Sequence, residues 1–102
     1  MRRRLIPLAF LALTAGCGGG THGPVNAACL GAGRSAATAA SCGCVQRVAH
    51  RSLGWGEQRR AARFFKDPDR AEATRMSDAP ADKTFWKRYE AFIDRAKASC
   101  QG

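Results

Sequence analysis

The chain has 102 residues, of which 25% are charged and 45% apolar, and a formal net charge of +9. That length admits one small domain and excludes a multi-domain protein. Alanine, glycine and arginine outweigh β-branched residues, which favours helix over sheet.

Met1 to Arg4 forms a short positive segment, and Leu5 to Leu13 an apolar one interrupted by Pro7. Together they read as a secretory signal. About nine apolar residues fall short of the ~20 that a membrane-spanning helix needs. Arg2-Arg3-Arg4 lacks the flanking Ser and following Phe-Leu-Lys of a twin-arginine signal. Leu13-Thr14-Ala15-Gly16-Cys17 then resembles the lipobox of bacterial lipoproteins. The resemblance implies a signal peptide over 1–16 and a Cys17 joined to diacylglycerol through its thiol and acylated on its amine. Thr14 stands where that family prefers leucine, with Leu13 one step further back. An ordinary secreted protein cut nearby would leave Cys17 as an odd thiol in an oxidising compartment. Gly18 follows Cys17 in place of the aspartate that retains many lipoproteins at the inner membrane. The expected location is therefore the periplasmic side of the envelope, anchored at the outer membrane. Residues 17–24 are glycine-rich and read as a tether. His22 is a lone histidine there, and zinc sites normally need several ligands.

Without Arg2, Arg3 and Arg4 the balance is 14 basic against 8 acidic residues, a net +6. Such a balance suits an anionic neighbour, but by itself reads first as a solvated surface, which an Ala- and Arg-rich composition gives anyway. Residues 25–102 then make a domain small enough to need staples. The expected fold is all-α, a small disulfide-stapled bundle of four to five short helices.

Pro24 fits the first turn of a helix carrying Val25, Cys29 and Leu30, which Gly31 and Gly33 keep short. Arg34 to Ser41 reads as a connection or a loosely helical stretch, with Ser41 as N-cap of a second helix. On that helix Cys42, Val45, Val48, Ala49 and Leu53 share a broad face, and Cys42 and Cys44 flank it about 200° apart. Arg47 and Arg51 point outward. Gly54 reads as the helix stop and Trp55-Gly56 as a turn. Glu57 to Lys66 is a third helix, apolar through Ala61, Ala62, Phe64 and Phe65. Its basic side is Arg59, Arg60, Arg63 and Lys66. Asp67-Pro68 restarts the chain as cap and first residue of a short fourth helix, Asp69 to Met76. Ser77 to Ala81 is a loop. From Asp82 to Cys100, the residues Phe85, Trp86, Tyr89, Phe92, Ile93, Ala96 and Cys100 recur at three- and four-residue steps. These aromatics are read as core rather than as a ligand box.

Cys29, Cys42, Cys44 and Cys100 are expected to form two disulfides, since a lipobox places them in the periplasm. Pairing Cys42 with Cys44 would close a strained ring. Two pairings remain open: Cys29–Cys42 with Cys44–Cys100, or Cys29–Cys44 with Cys42–Cys100.

No catalytic residue, cofactor or metal site is indicated. Cys-x-Cys can chelate soft metals or exchange disulfides, and His50 lies on the same helix, but no Met/His cluster accompanies it. Three readings follow. The first is a lipid-anchored envelope protein with a structural or interaction role. Its basic face (Arg59, Arg60, Arg63, Lys66) would meet anionic lipid, cell-wall polymer or an acidic protein, with no nucleic acid expected in that compartment. The second is a periplasmic thiol-redox or copper-handling protein using Cys42 and Cys44. The third is an accessory solute-binding component.

Val25-Asn26-Ala27-Ala28-Cys29, Cys42-Gly43-Cys44-Val45-Gln46, Ala61-Ala62-Arg63-Phe64-Phe65-Lys66-Asp67-Pro68 and Phe85-Trp86-Lys87-Arg88-Tyr89 together resemble a group of short lipoprotein-like chains of alphaproteobacteria. Some members carry the label arginine transporter. A transporter requires spanning helices or a large binding fold, so the resemblance implies at most an accessory arginine-binding role. It carries over no catalytic residue.

Overall fold

A computed structural model describes residues 20–33 and 37–100. The expected signal peptide, the expected lipidation site at Cys17 and the first part of the expected tether lie outside the described residues. Five helices account for nearly all of what is described: α1 Pro24–Gly31, α2 Ala39–Ser52, α3 Trp55–Lys66, α4 Pro68–Arg75 and α5 Pro80–Cys100. The fold is all-helical, with no strand among the described residues.

Local chemistry explains the helix ends. Pro24 opens α1 where a missing N–H costs nothing. Gly33, in the left-handed region at φ 69°, turns the chain away just after it. The cap of α2 is Thr38 rather than Ser41. Thr38 Oγ1 accepts the Ser41 N–H at 3.0 Å, and Ser41 Oγ accepts the Thr38 N–H at 3.0 Å. This reciprocal box satisfies two N–H groups at once, which a lone Ser41 cap would not. Gly54 begins α3 rather than ending α2. Its N–H is held by Glu57 Oε1 at 2.9 Å, so Trp55 and Gly56 form the first helical turn instead of a loop. Asp67 precedes Pro68 as expected, but its carboxylate pairs with Arg70 Nε at 3.3 Å and caps nothing. Pro80 similarly opens α5 two residues ahead of Asp82.

The five helices close a ring of neighbours. α1 packs on α2, α2 on α5, α5 on α4, α4 on α3, and α3 back on α1. Inside lie Val25, Val48, Ala49, Leu53, Ala61, Phe92 and Ala96. A second layer is aromatic. Phe64 meets Phe85 edge-on at 5.9 Å and Tyr89 edge-on at 5.1 Å between centroids, with Trp86 on its flank. Phe92 and Phe85 are buried while Trp86 and Tyr89 are half-buried, so the aromatic face of α5 is core. Such edge-to-face pairs contribute about 0.5–1.5 kcal/mol beyond their area.

The disulfides are Cys29–Cys42 and Cys44–Cys100, each with Cα atoms 5.7 Å apart. Cys42 points into the α1 side, where it is fully buried, and Cys44 points to the end of α5. The opposed phases of the two cysteines on α2 produce this division.

A buried polar network also runs through the core. Gln46, fully buried, accepts the Asn26 N–H at 2.8 Å and donates to Gln58 Oε1 at 2.7 Å. Gln58 Nε2 donates to Leu53 O at 3.2 Å and faces His50 Nδ1 at 3.4 Å. His50 Nε2 lies 3.2 Å from His22 O. Gln46 Nε2 lies 3.4 Å from the same His50 nitrogen, so the ring sits between Gln46, Gln58 and the His22 carbonyl. His50, half-buried at the rim, is thus a strut of this network. The same network fixes part of the expected tether. A Cβ at Gly23 would lie 2.6 Å from the Gln46 side chain, and one at Gly43 would lie 3.2 Å from Thr21. Residues 21–23 therefore lie along α2.

Opening the disulfides separately tests their division of labour. Cys44–Cys100 closes 56 residues and Cys29–Cys42 closes 13. Chain entropy assigns them about 4 and about 3 kcal/mol. Thermal unfolding of Cys44→Ala/Cys100→Ala should therefore fall further than that of Cys29→Ala/Cys42→Ala. The reverse order would show that packing around Cys42 outweighs loop length.

Candidate functional site

The expected basic face is reorganised by two carboxylates. Arg60 leaves it. Its Nη2 donates to Asp82 Oδ1 at 2.7 Å, and its guanidinium lies 4.4 Å from the Phe85 ring centroid. Asp82 is itself held by the Ser77 hydroxyl at 2.7 Å. Arg60 thus seals α3 to α5 by an ion pair and a cation–π contact. Arg88 is drawn in similarly. It grips Glu57 through Nε at 2.6 Å and Nη2 at 2.8 Å, a two-pronged contact, and also reaches Ser52 O at 3.3 Å. Planar, paired contacts of this kind suit arginine and not lysine.

Arg59, Arg63 and Lys66 remain on the outside. All three are exposed, and none makes an ion pair among the described residues. Their spacing of four and three residues places them on one stripe of α3. Continuing that stripe back by four residues reaches Trp55, which is 57% exposed. The face is therefore Trp55, Arg59, Arg63 and Lys66, with a tryptophan in place of Arg60. The helical period contained this signal: Trp55 lies four residues before Arg59. A glycine at 54 has the look of a helix stop, which would leave Trp55 outside the helix. Arg60 sits one position further round, on the side where α3 meets α4 and α5.

The cysteine pair offers a different arrangement. Cys42 and Cys44 are joined to different partners, so in this state neither sulfur is a thiolate ligand or a nucleophile. Among the described residues no three His, Cys, Asp or Glu side chains converge on a point where a metal ion would sit. His50 is engaged with Gln58 and His22 rather than with the cysteines.

An apolar groove of roughly 460 Å³ opens beside both disulfides, lined by Val45, Phe65, Ile93, Ala96 and Lys97 among others. It carries no carboxylate, and so offers no charged partner to an arginine side chain. No helix among the described residues is long and apolar enough to cross a membrane. No known protein family, curated protein or solved structure matches this chain.

The two carboxylates that sort the arginines set an acid limit. The Glu57 carboxyl is held below its ordinary 4.5, mainly by the hydrogen bonds from Arg88, with burial opposing and the Gly54 N–H assisting. The Asp82 carboxyl is held below its ordinary 3.8, first by Ser77 and then by Arg60. A lowered folded-state pKa contributes stability that is full above the unfolded-state value. That stability is lost as pH falls through the folded value. Melting temperature should therefore decline below about pH 4.5. Glu57→Gln combined with Asp82→Asn should flatten that decline. Identical acid limbs in parent and variant would show that these pairs add nothing to stability.

Proposed function

We propose that the protein is a lipid-anchored component of the cell envelope with an interaction role, presenting the Trp55–Lys66 stripe to an anionic partner. The observation that carries this reading is the sorting of the arginines. Arg60 and Arg88 are consumed by Asp82 and Glu57, while Arg59, Arg63 and Lys66 stand exposed on one side of one helix with no ion-pair partner among the described residues. A solvated surface with no partner gives no reason to gather three unpaired cations beside an exposed tryptophan.

The anchor rests on the lipobox resemblance at Cys17. Cysteine parity supports it: four of the five cysteines pair among themselves, leaving Cys17 over. Two disulfides suit the periplasmic face of the envelope. No metal or redox cofactor is part of this reading, and nothing in it requires catalysis.

Two measurements test it. Elution of the full chain, in neutral detergent, from an immobilised sulfated polysaccharide reads the face. Arg59→Gln/Arg63→Gln/Lys66→Gln should elute at clearly lower salt, whereas Arg47→Gln/Arg51→Gln on α2 should change elution less. Equal shifts for the two variants would reduce the face to bulk charge. Mass analysis of the N-terminal peptide of the mature protein reads the anchor. A Cys17 carrying diacylglycerol and an acylated amine is expected, and an unmodified Cys17 would remove the anchor from the reading.

A further inference from the structure

We infer that the anionic partner of the α3 stripe is the phospholipid bilayer itself, with α3 lying along the surface and Trp55 seated among the headgroups. This inference rests on the proposed anchored, basic-faced reading and commits it to one partner.

The first argument is the chemistry of the stripe. Three large apolar side chains are well exposed among the described residues: Leu30, Trp55 and Met76. Of these, Trp55 belongs to the stripe of unpaired cations. Tryptophan pairs an apolar body with one N–H donor, which suits the boundary between headgroups and acyl chains. Its N–H makes no hydrogen bond among the described residues, and its side chain takes no part in the aromatic cluster around Phe64. Cations one, two and three turns further along the same side would meet lipid phosphates.

The second argument is reach. The glycine-rich stretch after Cys17 looks long enough to hold the domain away from the membrane. Thr21 and Gly23, however, pack against Gly43 and Gln46, and His22 O meets His50. Only three residues, 18–20, stand between Cys17 and Thr21, and four Cα–Cα steps reach at most about 15 Å. A domain held that close to the bilayer has the lipid surface as its nearest partner, at high effective concentration. Bivalent attachment also answers a need of the stripe, because three cations and one tryptophan make a weak membrane site alone. Each cation near an anionic surface contributes about a fivefold gain in binding, so three give about a hundredfold.

The test uses the full chain reconstituted through its own anchor into vesicles containing brominated lipid, which quenches indoles at the interface. Vesicles are either purely zwitterionic or contain anionic phospholipid. In anionic vesicles at low salt, a blue shift and strong quenching are expected. Most of the quenching should disappear in Trp55→Phe, which retains the half-buried Trp86. It should also disappear in Arg59→Gln/Arg63→Gln/Lys66→Gln, and in the parent when salt rises from about 0.01 M to about 1 M, shrinking the screening length from ~30 Å to ~3 Å. Helical circular dichroism confirms that each variant is folded. Equal quenching of the parent in zwitterionic and anionic vesicles would overturn the inference, as would quenching unaltered by Trp55→Phe. If that happens while retention on the polysaccharide still depends on the α3 cations, the bilayer is the wrong partner and the basic-face reading stands. If the cations affect neither experiment, both readings fall.

Discussion

Everything in this domain depends on α2 being held from two sides at adjacent positions. Cys42 and Cys44 are separated by one glycine on a helix, so their sulfurs leave in nearly opposed directions. One reaches α1 and the other the end of α5. A chain this short cannot bury enough apolar surface to order five helices comfortably. The two bridges reduce the freedom of the unfolded chain by an amount comparable to the whole stability of a small domain. With α2 fixed, Val48, Ala49 and Leu53 form the floor on which Val25, Ala61 and Phe92 close. Gln46 then joins α1 to α3 beneath them, in a place where an unpaired amide would cost about 1–3 kcal/mol per group.

Charge on the outside is a by-product of that closure. Glu57 and Asp82 sit where α3 meets α5, and each captures one arginine across the interface. Half-exposed pairs of this sort add little stability one by one. Their larger effect is selective: they decide which arginines remain available. The surface of α3 is therefore defined as much by two carboxylates as by the cations left on it, and Trp55 joins that surface because Glu57 holds Gly54 at the head of the helix.

Much of the fold was legible in the sequence, and for identifiable reasons. α5 was visible because Phe85, Phe92 and Ala96 fall on one face of a 3.6-residue period, and that period is local. Pro68 marks a helix start through its fixed φ, whereas Pro80, expected in a loop from 77 to 81, opens α5 by the same constraint. Two other boundaries, at the starts of α2 and α3, differ from expectation because side chains cap at a distance of three residues. Ser41 serves as the third residue of a box begun by Thr38, and Glu57 reaches back to Gly54. The buried glutamines were not legible, since Gln46 and Gln58 have ordinary helical propensity and their value lies in contacts 12 and 20 residues away. Nor was the loss of Arg60 from the basic face, because its partner Asp82 is 22 residues on and its position relative to Phe85 exists only after packing. Between the two open disulfide pairings, spacing alone could not choose, because either one satisfies the helical phase of α2.

The chosen pairing has a topological consequence. Cys29–Cys42 and Cys44–Cys100 form two loops in series, sharing no stretch of chain. A backbone break between residues 29 and 42, or between 44 and 100, leaves the pieces covalently joined. The alternative pairing would have overlapped the loops and protected the whole interval. In the series arrangement, a single cut can part the molecule in two between residue 29 and residue 100 at one place alone, the two peptide bonds of Gly43. That residue is buried in the second turn of a hydrogen-bonded helix, with Thr21 laid across it so closely that even a methyl group would crowd it. The one severable link in the circuit is thus where a protease, which must unwind about a turn or more of chain to bite, has least access.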